Sequence, residues 1–170
     1  FFLDEGLPTT PQLLFESGQD LLEGLRQGKF AIPFVQKLRS GGYDGRGVAI
    51  IRTAEDLALL LEGPCLVEPL VEIEAEVSVI AARNPNGEIK TFPPVAMAFH
   101  PEANLVEYLY CPSGLGPALE LEATQIAQAA IEALNMSGLL AVEMFLTTDG
   151  DWLINEVAPR PHNSGHHTIE

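Results

Sequence analysis

The chain has 170 residues, 46% of them hydrophobic, and a formal net charge of -15 at pH 7. This length and apolar content suit a globular protein with one large core or two smaller subdomains. The apolar runs are shorter than the ~20 residues that cross a bilayer, and the negative charge disfavours binding to nucleic acid. We therefore expect a cytoplasmic protein with neither a membrane nor a nucleic-acid partner.

Strands and short helices alternate along the first half of the chain. Strands are predicted at residues 10–16, 30–40, 48–53 and 65–72. Helices are predicted at 17–28 and 54–63, with Ser17 and Thr53 as their N-caps. These elements form a first predicted subdomain at residues 1–70, in which Cys65 is expected to be a buried free thiol.

The second half, residues 71–170, is predicted as a further subdomain. Its elements are a hairpin at 75–99, a helix at 117–136 and a hairpin at 139–158. The first hairpin turns at Asn86 and Gly87 and the second at Asp149 and Gly150, because these residues tolerate positive φ. Hairpins packed with helices predict an α+β fold with antiparallel sheets. Cys111 is also expected to be a buried free thiol.

The last hairpin brings two glutamates together. If Asp149 and Gly150 form a two-residue turn, Glu143 lies directly opposite Glu156, with Cβ atoms ~4.5–5.5 Å apart. Their strands are otherwise apolar and expected to be largely buried, so the paired charges indicate a bound cation. Carboxylate oxygens favour Mg²⁺, with Mn²⁺ as an alternative. A three-residue loop would instead turn one glutamate to solvent, and Asn155 could reach the metal only if its strand is irregular.

The glycine-rich segment "GGYDGRG" at residues 41–47 predicts a phosphate site. Glycines such as Gly42 and Gly45 let backbone N–H groups surround an anion, and Arg46 offers a planar fork of donors. A plain hairpin connection is the alternative. Phosphate binding is favoured by Lys37, which lies on the strand that enters the segment.

Four segments carry a resemblance to a known family: "KLRSGGYDGRGV", "LVEPLVEIEAEVSVIAAR", "AVEMFL" and "LINEVAPRPHNSGHHTIE". Together they resemble the ATP-grasp superfamily and, within it, the 5-(carboxyamino)imidazole ribonucleotide synthases of purine biosynthesis. The resemblance spans nearly the whole chain. It implies that two α+β subdomains enclose ATP, and that the flanking N-terminal and C-terminal domains of the family are absent from this chain.

The resemblance also implies roles for individual residues. ATP-binding residues are implied at Lys37, Gly42, Gly45, Arg46, Glu68, Pro69, Leu70, Val71, Glu76 and Asn155. Of these, Glu68 and the three residues after it would line the adenine pocket through backbone groups, and Glu76 would hold the ribose. Glu143 and Glu156 match the metal ligands. Residues implied around aminoimidazole ribonucleotide and bicarbonate are Tyr43, Asp44, Arg46, Arg160, His162, Asn163 and Ser164, with Asp44, Arg160 and His162 implied in catalysis.

The implied reaction is an ATP-dependent carbon-nitrogen ligation. Bicarbonate attacks the γ-phosphate to form carboxyphosphate, which carboxylates the amine of 5-aminoimidazole ribonucleotide and leaves ADP and phosphate. The alternatives are another ATP-grasp ligase, formate-dependent or similar to biotin carboxylase, and a non-catalytic nucleotide-binding module.

Substrates are the expected partners, a homodimer is compatible with the sequence, and the chain alone could be inactive. Before the histidine that matches His100, relatives usually carry Glu-Asn where this chain has Met97 and Ala98. This departure weakens any claim that His100 contacts ATP, and a surface loop residue is the alternative.

Overall fold

A computed structural model describes residues 1–41, 46–99 and 106–169. Five residues considered above lie outside this range, namely Gly42, Tyr43, Asp44, Gly45 and His100. The chain divides into two compact units, a smaller one of Thr10–Val71 and a larger one of Phe1–Thr9 with Glu72–Glu170. This division differs from the predicted boundary because the first nine residues belong to the larger unit. None of the helices in the described ranges has the length and hydropathy needed to cross a membrane.

The smaller unit is a four-stranded antiparallel sheet with one α-helix. Its strands are β1 (Leu13–Phe15), β2 (Phe34–Leu38), β3 (Val48–Ile51) and β4 (Cys65–Pro69), arranged in the order β1-β4-β2-β3. Helix α1 spans Gly18–Arg26, and the Ser17 hydroxyl caps it by accepting a hydrogen bond from the Asp20 N–H at 3.1 Å. Leu21 of α1 and Phe34 of β2 are buried in its core, together with Cys65. The predicted strands, helix cap and β2-β3 hairpin are confirmed.

The predicted helix at 54–63 is wrong. The structure has only a short 3₁₀ helix at Glu55–Leu59, and its N-cap is Ala54, which makes no side-chain capping bond. The Asp56 carboxylate instead accepts hydrogen bonds from the backbone N–H groups of Thr53 at 2.8 Å and Arg52 at 2.9 Å. These bonds, that of Thr53 first, lower the pKa of Asp56. Asp56 therefore stabilises a tight turn where Thr53 was expected to begin an α-helix.

The larger unit is a six-stranded antiparallel sheet that packs against helix α2 (Pro117–Ala133). Its strands are β5 (Ile73–Arg83), β6 (Ile89–Thr91), β7 (Val95–Phe99), β8 (Val106–Tyr110), β9 (Gly138–Thr147) and β10 (Trp152–Ala158). Their order is β10-β9-β5-β7-β8, and β6 pairs with β5. The β5-β6 hairpin, helix α2 and the α+β class are confirmed. In the hairpin turn Gly87 has a φ of +89°, whereas Asn86 does not adopt the positive φ that it was expected to tolerate. Strand β8 was not predicted, and Cys111 is exposed, contrary to expectation.

Residues 1–9 join the larger unit through the outer edge of β10. The Ile154 N–H donates to the Pro8 carbonyl at 2.8 Å, and the Thr9 hydroxyl donates to the Ile154 carbonyl at 2.9 Å. Phe2 and Leu7 also pack against the core beneath α2. These contacts explain why residues 1–9 belong to the larger unit, whereas strand β1, which follows them in the chain, belongs to the smaller one.

The β9-β10 hairpin is irregular in two places. Its turn is a three-residue loop, closed by the Thr147 N–H, which donates to the Asp151 carbonyl at 2.9 Å. A register shift in β10 then makes Asn155 the extra residue of a β-bulge, and Glu156 pairs with Glu143 beyond it. The predicted two-residue turn is therefore wrong. The predicted glutamate pair is confirmed, because the bulge compensates for the longer loop.

Candidate functional site

The two faces of the large sheet carry different kinds of residue. The face that packs against α2 is apolar and includes Val77, Val79, Val142 and Met144. Side chains alternate between the faces of a strand, so the residues between these point to the opposite face. On that face Glu156, Glu143 and Ser78 form one row, because they are direct partners across β10, β9 and β5. Two carboxylates and a hydroxyl thus lie side by side on a rigid sheet.

The next row on this face is a small apolar cluster of Ile80, Ala141 and Ala158, all of them buried. The C-terminal segment covers it with a 3₁₀ helix at Asn163–Thr168. A Cβ atom on Gly165 would lie 2.8 Å from the Cδ1 atom of Ile80, so glycine permits this close approach. The helix therefore packs directly on the sheet beside the row of polar residues.

His162 links the C-terminal segment to the glutamate pair. Its Nε2 atom lies 2.8 Å from Oε1 of Glu143, and the two side chains are 11% and 19% exposed. On the other side of the ring, Nδ1 lies 2.9 Å from the Ser164 hydroxyl, which in turn lies 2.8 Å from the Ser78 hydroxyl. The carboxylate, imidazole and two hydroxyls form one connected hydrogen-bonded network.

The glutamate pair fits a hard divalent cation. Glu143 is partly buried, whereas Glu156 is exposed, which corrects the expectation that both would lie on largely buried strands. The difference follows from position, since β10 lies at the outer end of the sheet order. Among the described residues no group of three or more His, Cys, Asp or Glu side chains forms a metal cluster. Mg²⁺ commonly takes only one or two carboxylates and adds water and substrate phosphate, so the pair suits it.

The other predicted residues of the larger unit lie on or beside the same face. Glu76 is partly buried on β5, two residues before Ser78 and therefore on the same side of the strand. Asn155 occupies the bulge, which is the irregularity that its predicted metal contact required. Asn163 is exposed at the start of the 3₁₀ helix. Arg160 is also exposed, and its guanidinium donates to the Pro161 carbonyl at 3.0 Å.

The smaller unit holds a second charged cluster, centred on Glu68. This residue is only 5% exposed, and its carboxylate accepts a hydrogen bond from the Thr10 hydroxyl at 2.7 Å. The other carboxylate oxygen forms an ion pair with the Lys37 ammonium group, whose side chain is 24% exposed. The cluster therefore orients a lysine that is still partly open to solvent.

The role of the Glu68 side chain was missed from the sequence, which implied only backbone contacts for this residue. A signal was present, because Lys37 and Glu68 are the lone charges of two otherwise uncharged strands, "FVQKL" and "CLVEP". Pro69 ends β4 and is exposed, and Leu70 and Val71 follow it partly buried. Among the described residues of this unit, the predicted ATP-binding residues lie on β2 and at or just after the end of β4, apart from Arg46, which is exposed just before β3.

The ATP-grasp domain family matches the chain over residues 1–170. The N5-carboxyaminoimidazole ribonucleotide synthase of Bacillus subtilis (strain 168) is 37% identical over 169 residues, which cover 97% of this chain and 43% of that protein. The solved N5-carboxyaminoimidazole ribonucleotide synthetase from Thermotoga maritima has a TM-score of 0.82 at 38% identity, and the match covers 99% of this chain and 42% of that one. The N5-carboxyaminoimidazole synthetase from Staphylococcus aureus, solved as a complex with ADP, has a TM-score of 0.85 at 27% identity, and the match covers 99% of this chain and 44% of that one. The chain thus spans less than half the length of these relatives.

Proposed function

The chain belongs to the ATP-grasp family, and we propose that it forms the ATP-binding part of an enzyme that carboxylates 5-aminoimidazole ribonucleotide with bicarbonate. The observation that carries the proposal is the pairing of Glu143 with Glu156 on a sheet of this fold. The pair supplies hard oxygen ligands where Mg-ATP chemistry requires them. Similarity to synthases of this specificity, one of them solved with ADP, supports the choice of substrates.

Lys37 is proposed to contact the phosphates of ATP. Its ammonium group is held by the Glu68 carboxylate, which the Thr10 hydroxyl fixes from the other side. A lysine held in this way loses less conformational freedom when it binds a phosphate, so more of the electrostatic attraction contributes to the free energy of binding. Arg46 and the glycines beside it are proposed to complete the phosphate contacts.

Glu143 and Glu156 are proposed to hold Mg²⁺, with Asn155 next to them in the bulge. When bound, the ion offsets the negative charge that develops on the phosphates during transfer. The Glu143 carboxylate that would hold the ion also contacts the His162 ring, through Oε1 at 2.8 Å from Nε2. Glu76 is proposed to bind the ribose, and residues 68–71 to contact adenine through their backbone.

Arg160 is proposed to bind bicarbonate, because its exposed guanidinium offers a planar fork to an oxyanion. A bicarbonate oxygen attacks the γ-phosphorus and ADP leaves, which gives carboxyphosphate. The amine of 5-aminoimidazole ribonucleotide then bonds to the carboxyl carbon, directly or after CO₂ is released, while phosphate leaves and the amine loses a proton. His162 is proposed as a hydrogen-bond or proton-transfer partner. The remaining proposed contacts to this substrate are Tyr43, Asp44, Arg46, Asn163 and Ser164.

A coupled assay of ADP release tests this function. The full-length enzyme that contains this chain is given Mg-ATP with either bicarbonate or formate, and each is combined with 5-aminoimidazole ribonucleotide or another amine acceptor. We expect ADP release that requires both bicarbonate and 5-aminoimidazole ribonucleotide. Release that requires formate, or a different acceptor, would assign another ATP-grasp ligase. ATP binding without ADP release under every condition would indicate a non-catalytic nucleotide-binding module.

A further inference from the structure

We infer that Ser78 and Ser164 are positioning residues that fix His162 as an Nε2–H donor to Glu143. The sequence implied a substrate contact for Ser164 and no role for Ser78. The inference concerns the hydrogen-bonded network itself, and its functional meaning rests on the proposed metal site at Glu143. Two buried hydroxyls would then help to orient Glu143, a proposed metal ligand.

One backbone contact identifies the tautomer of His162. The Ser164 N–H donates to Nδ1 of His162 at 3.3 Å, and a backbone amide can only donate. Nδ1 therefore carries a lone pair and not a proton. In an imidazole with one proton the other nitrogen must then be the donor. Nε2 carries that proton and donates it to Oε1 of Glu143, 2.8 Å away.

The two serine hydroxyls complete the chain of donors. Since Nδ1 accepts, the Ser164 hydroxyl at 2.9 Å donates to it, and the Ser164 oxygen then accepts from the Ser78 hydroxyl at 2.8 Å. Ser78 and Ser164 are 0% and 1% exposed, so bulk water does not compete for these bonds. Each hydroxyl therefore has one direction, from Ser78 towards the imidazole.

The network closes on itself through the sheet. Ser78 on β5 and Glu143 on β9 are direct strand partners, so the first donor and the last acceptor are fixed by the same backbone hydrogen bonds. Ser164 is fixed separately, because Gly165 lets the 3₁₀ helix pack against Ile80. The imidazole thus has two fixed supports, and it can hold the Glu143 carboxylate in one orientation. Partners of this kind, one step removed from a metal, commonly change metal affinity by about 10- to 100-fold.

Long-range ¹H–¹⁵N NMR of the histidine rings tests the network in the metal-free chain. The unaltered protein should show His162 with a protonated Nε2 and an unprotonated Nδ1, the assignment being made by loss of the signals in His162→Gln. Ser78→Ala and Ser164→Ala keep the Ser164 N–H but remove a hydroxyl from the chain of donors to Nδ1, so the share of the Nε2-protonated tautomer should fall in both. Ser113→Ala is the matched control, because its hydroxyl bonds to Glu120 elsewhere in the same unit, and it should leave the spectrum unchanged.

Binding of Mn²⁺ in the presence of ATP, followed by electron paramagnetic resonance, provides the second readout. Both serine variants should weaken Mn²⁺ binding, by up to about tenfold and more in Ser164→Ala, because Ser164 contacts the ring directly, whereas Ser113→Ala should not. A protonated Nδ1 in the unaltered chain, or serine variants that match it in either the spectrum or Mn²⁺ affinity, would overturn the inference. No Mn²⁺ binding by the unaltered chain would contradict the proposed function instead, and the spectra alone would then decide whether the serines fix the tautomer.

Discussion

At the scale of single residues, Glu68 shows how a buried charge is accommodated. Its carboxylate is satisfied by the Lys37 ammonium group and the Thr10 hydroxyl within one unit. Removing one partner of a buried charge leaves that charge uncompensated, which usually costs more than the intact pair contributes. The stability and the phosphate-binding role of this cluster can therefore be separated by substitution.

We predict that Lys37→Ala lowers the free energy of unfolding by about 2 kcal/mol, since Glu68 then keeps the Thr10 hydroxyl as its one partner among the described residues. Adding Glu68→Gln should restore most of that loss, because the buried charge is gone, yet neither variant should bind ATP normally. Lys90→Ala is the matched control, since Lys90 pairs with Glu88 at 3.6 Å on an exposed surface. Urea unfolding and ATP titration measure both effects. Equal losses in Lys37→Ala and Lys90→Ala would contradict the prediction.

At the scale of elements, helix α1 depends on a glycine in its interior. A Cβ atom on Gly24 would lie 2.6 Å from Cε1 of Phe15 on β1, so glycine lets the helix and the strand pack closely against each other at this point. Alanine normally stabilises a helix interior relative to glycine by about 1 kcal/mol. Here we predict the reverse, a loss of about 1–3 kcal/mol from overpacking in Gly24→Ala.

Thermal unfolding of Gly24→Ala beside Gly18→Ala checks this prediction. Gly18 lies in the same helix, and its added Cβ would meet the nearest atom, in Glu62, at 3.4 Å, which is ordinary contact. The control should therefore change the melting temperature little. A Gly24→Ala protein at least as stable as the unaltered chain would show that α1 does not pack against Phe15 as described.

The turn before the 3₁₀ helix should make stability depend on pH. The backbone N–H groups of Thr53 and Arg52 lower the pKa of Asp56 in the folded chain, so its ionised form stabilises the fold above the ordinary pKa of the group. That contribution is lost as the pH falls through the lowered value. Asp56→Asn should melt at a lower temperature than the unaltered chain at pH 7, and the gap should narrow in acid. A gap that stays constant from pH 7 to pH 3 would contradict this role.

Elements with a strong local signal could be predicted, whereas their exact pairing could not. Ser17 and the apolar stripe of α2 act within a few residues of the chain, so the sequence pattern reveals them. The pairing of Glu143 with Glu156 was reached through two errors that cancel, one in the turn and one at Asn155. A bulge depends on how neighbouring strands fit together, and no pattern within β10 marks it.

At the scale of the whole molecule, the site combines residues that are far apart in the chain. Ser78 and Ser164 are 86 residues apart, yet their hydroxyls are 2.8 Å from each other. Ser78 lies on an apolar strand and attracted no role from the sequence, while Ser164 was implied only as a substrate contact. The glutamates could be found because charge on an apolar strand is conspicuous, while a buried hydroxyl is not.

Metal binding at the glutamate pair is the central claim, and it can be separated from folding. Glu143→Gln keeps an oxygen that can accept from His162, while it removes one of two like charges placed side by side. The metal-free variant should therefore be as stable as the unaltered chain, or slightly more so. A glutamate with a purely structural role would instead lose stability when altered.

The most direct measurement is calorimetric titration of Mg²⁺ into the ATP-saturated chain and into Glu143→Gln. Glu122→Gln serves as the control, since it removes an exposed glutamate from α2 in the same unit. We predict that the unaltered chain and the control bind Mg²⁺ alike, and that Glu143→Gln loses at least tenfold in affinity, because the ion loses a charged ligand. Near-normal Mg²⁺ affinity in Glu143→Gln would contradict the metal site.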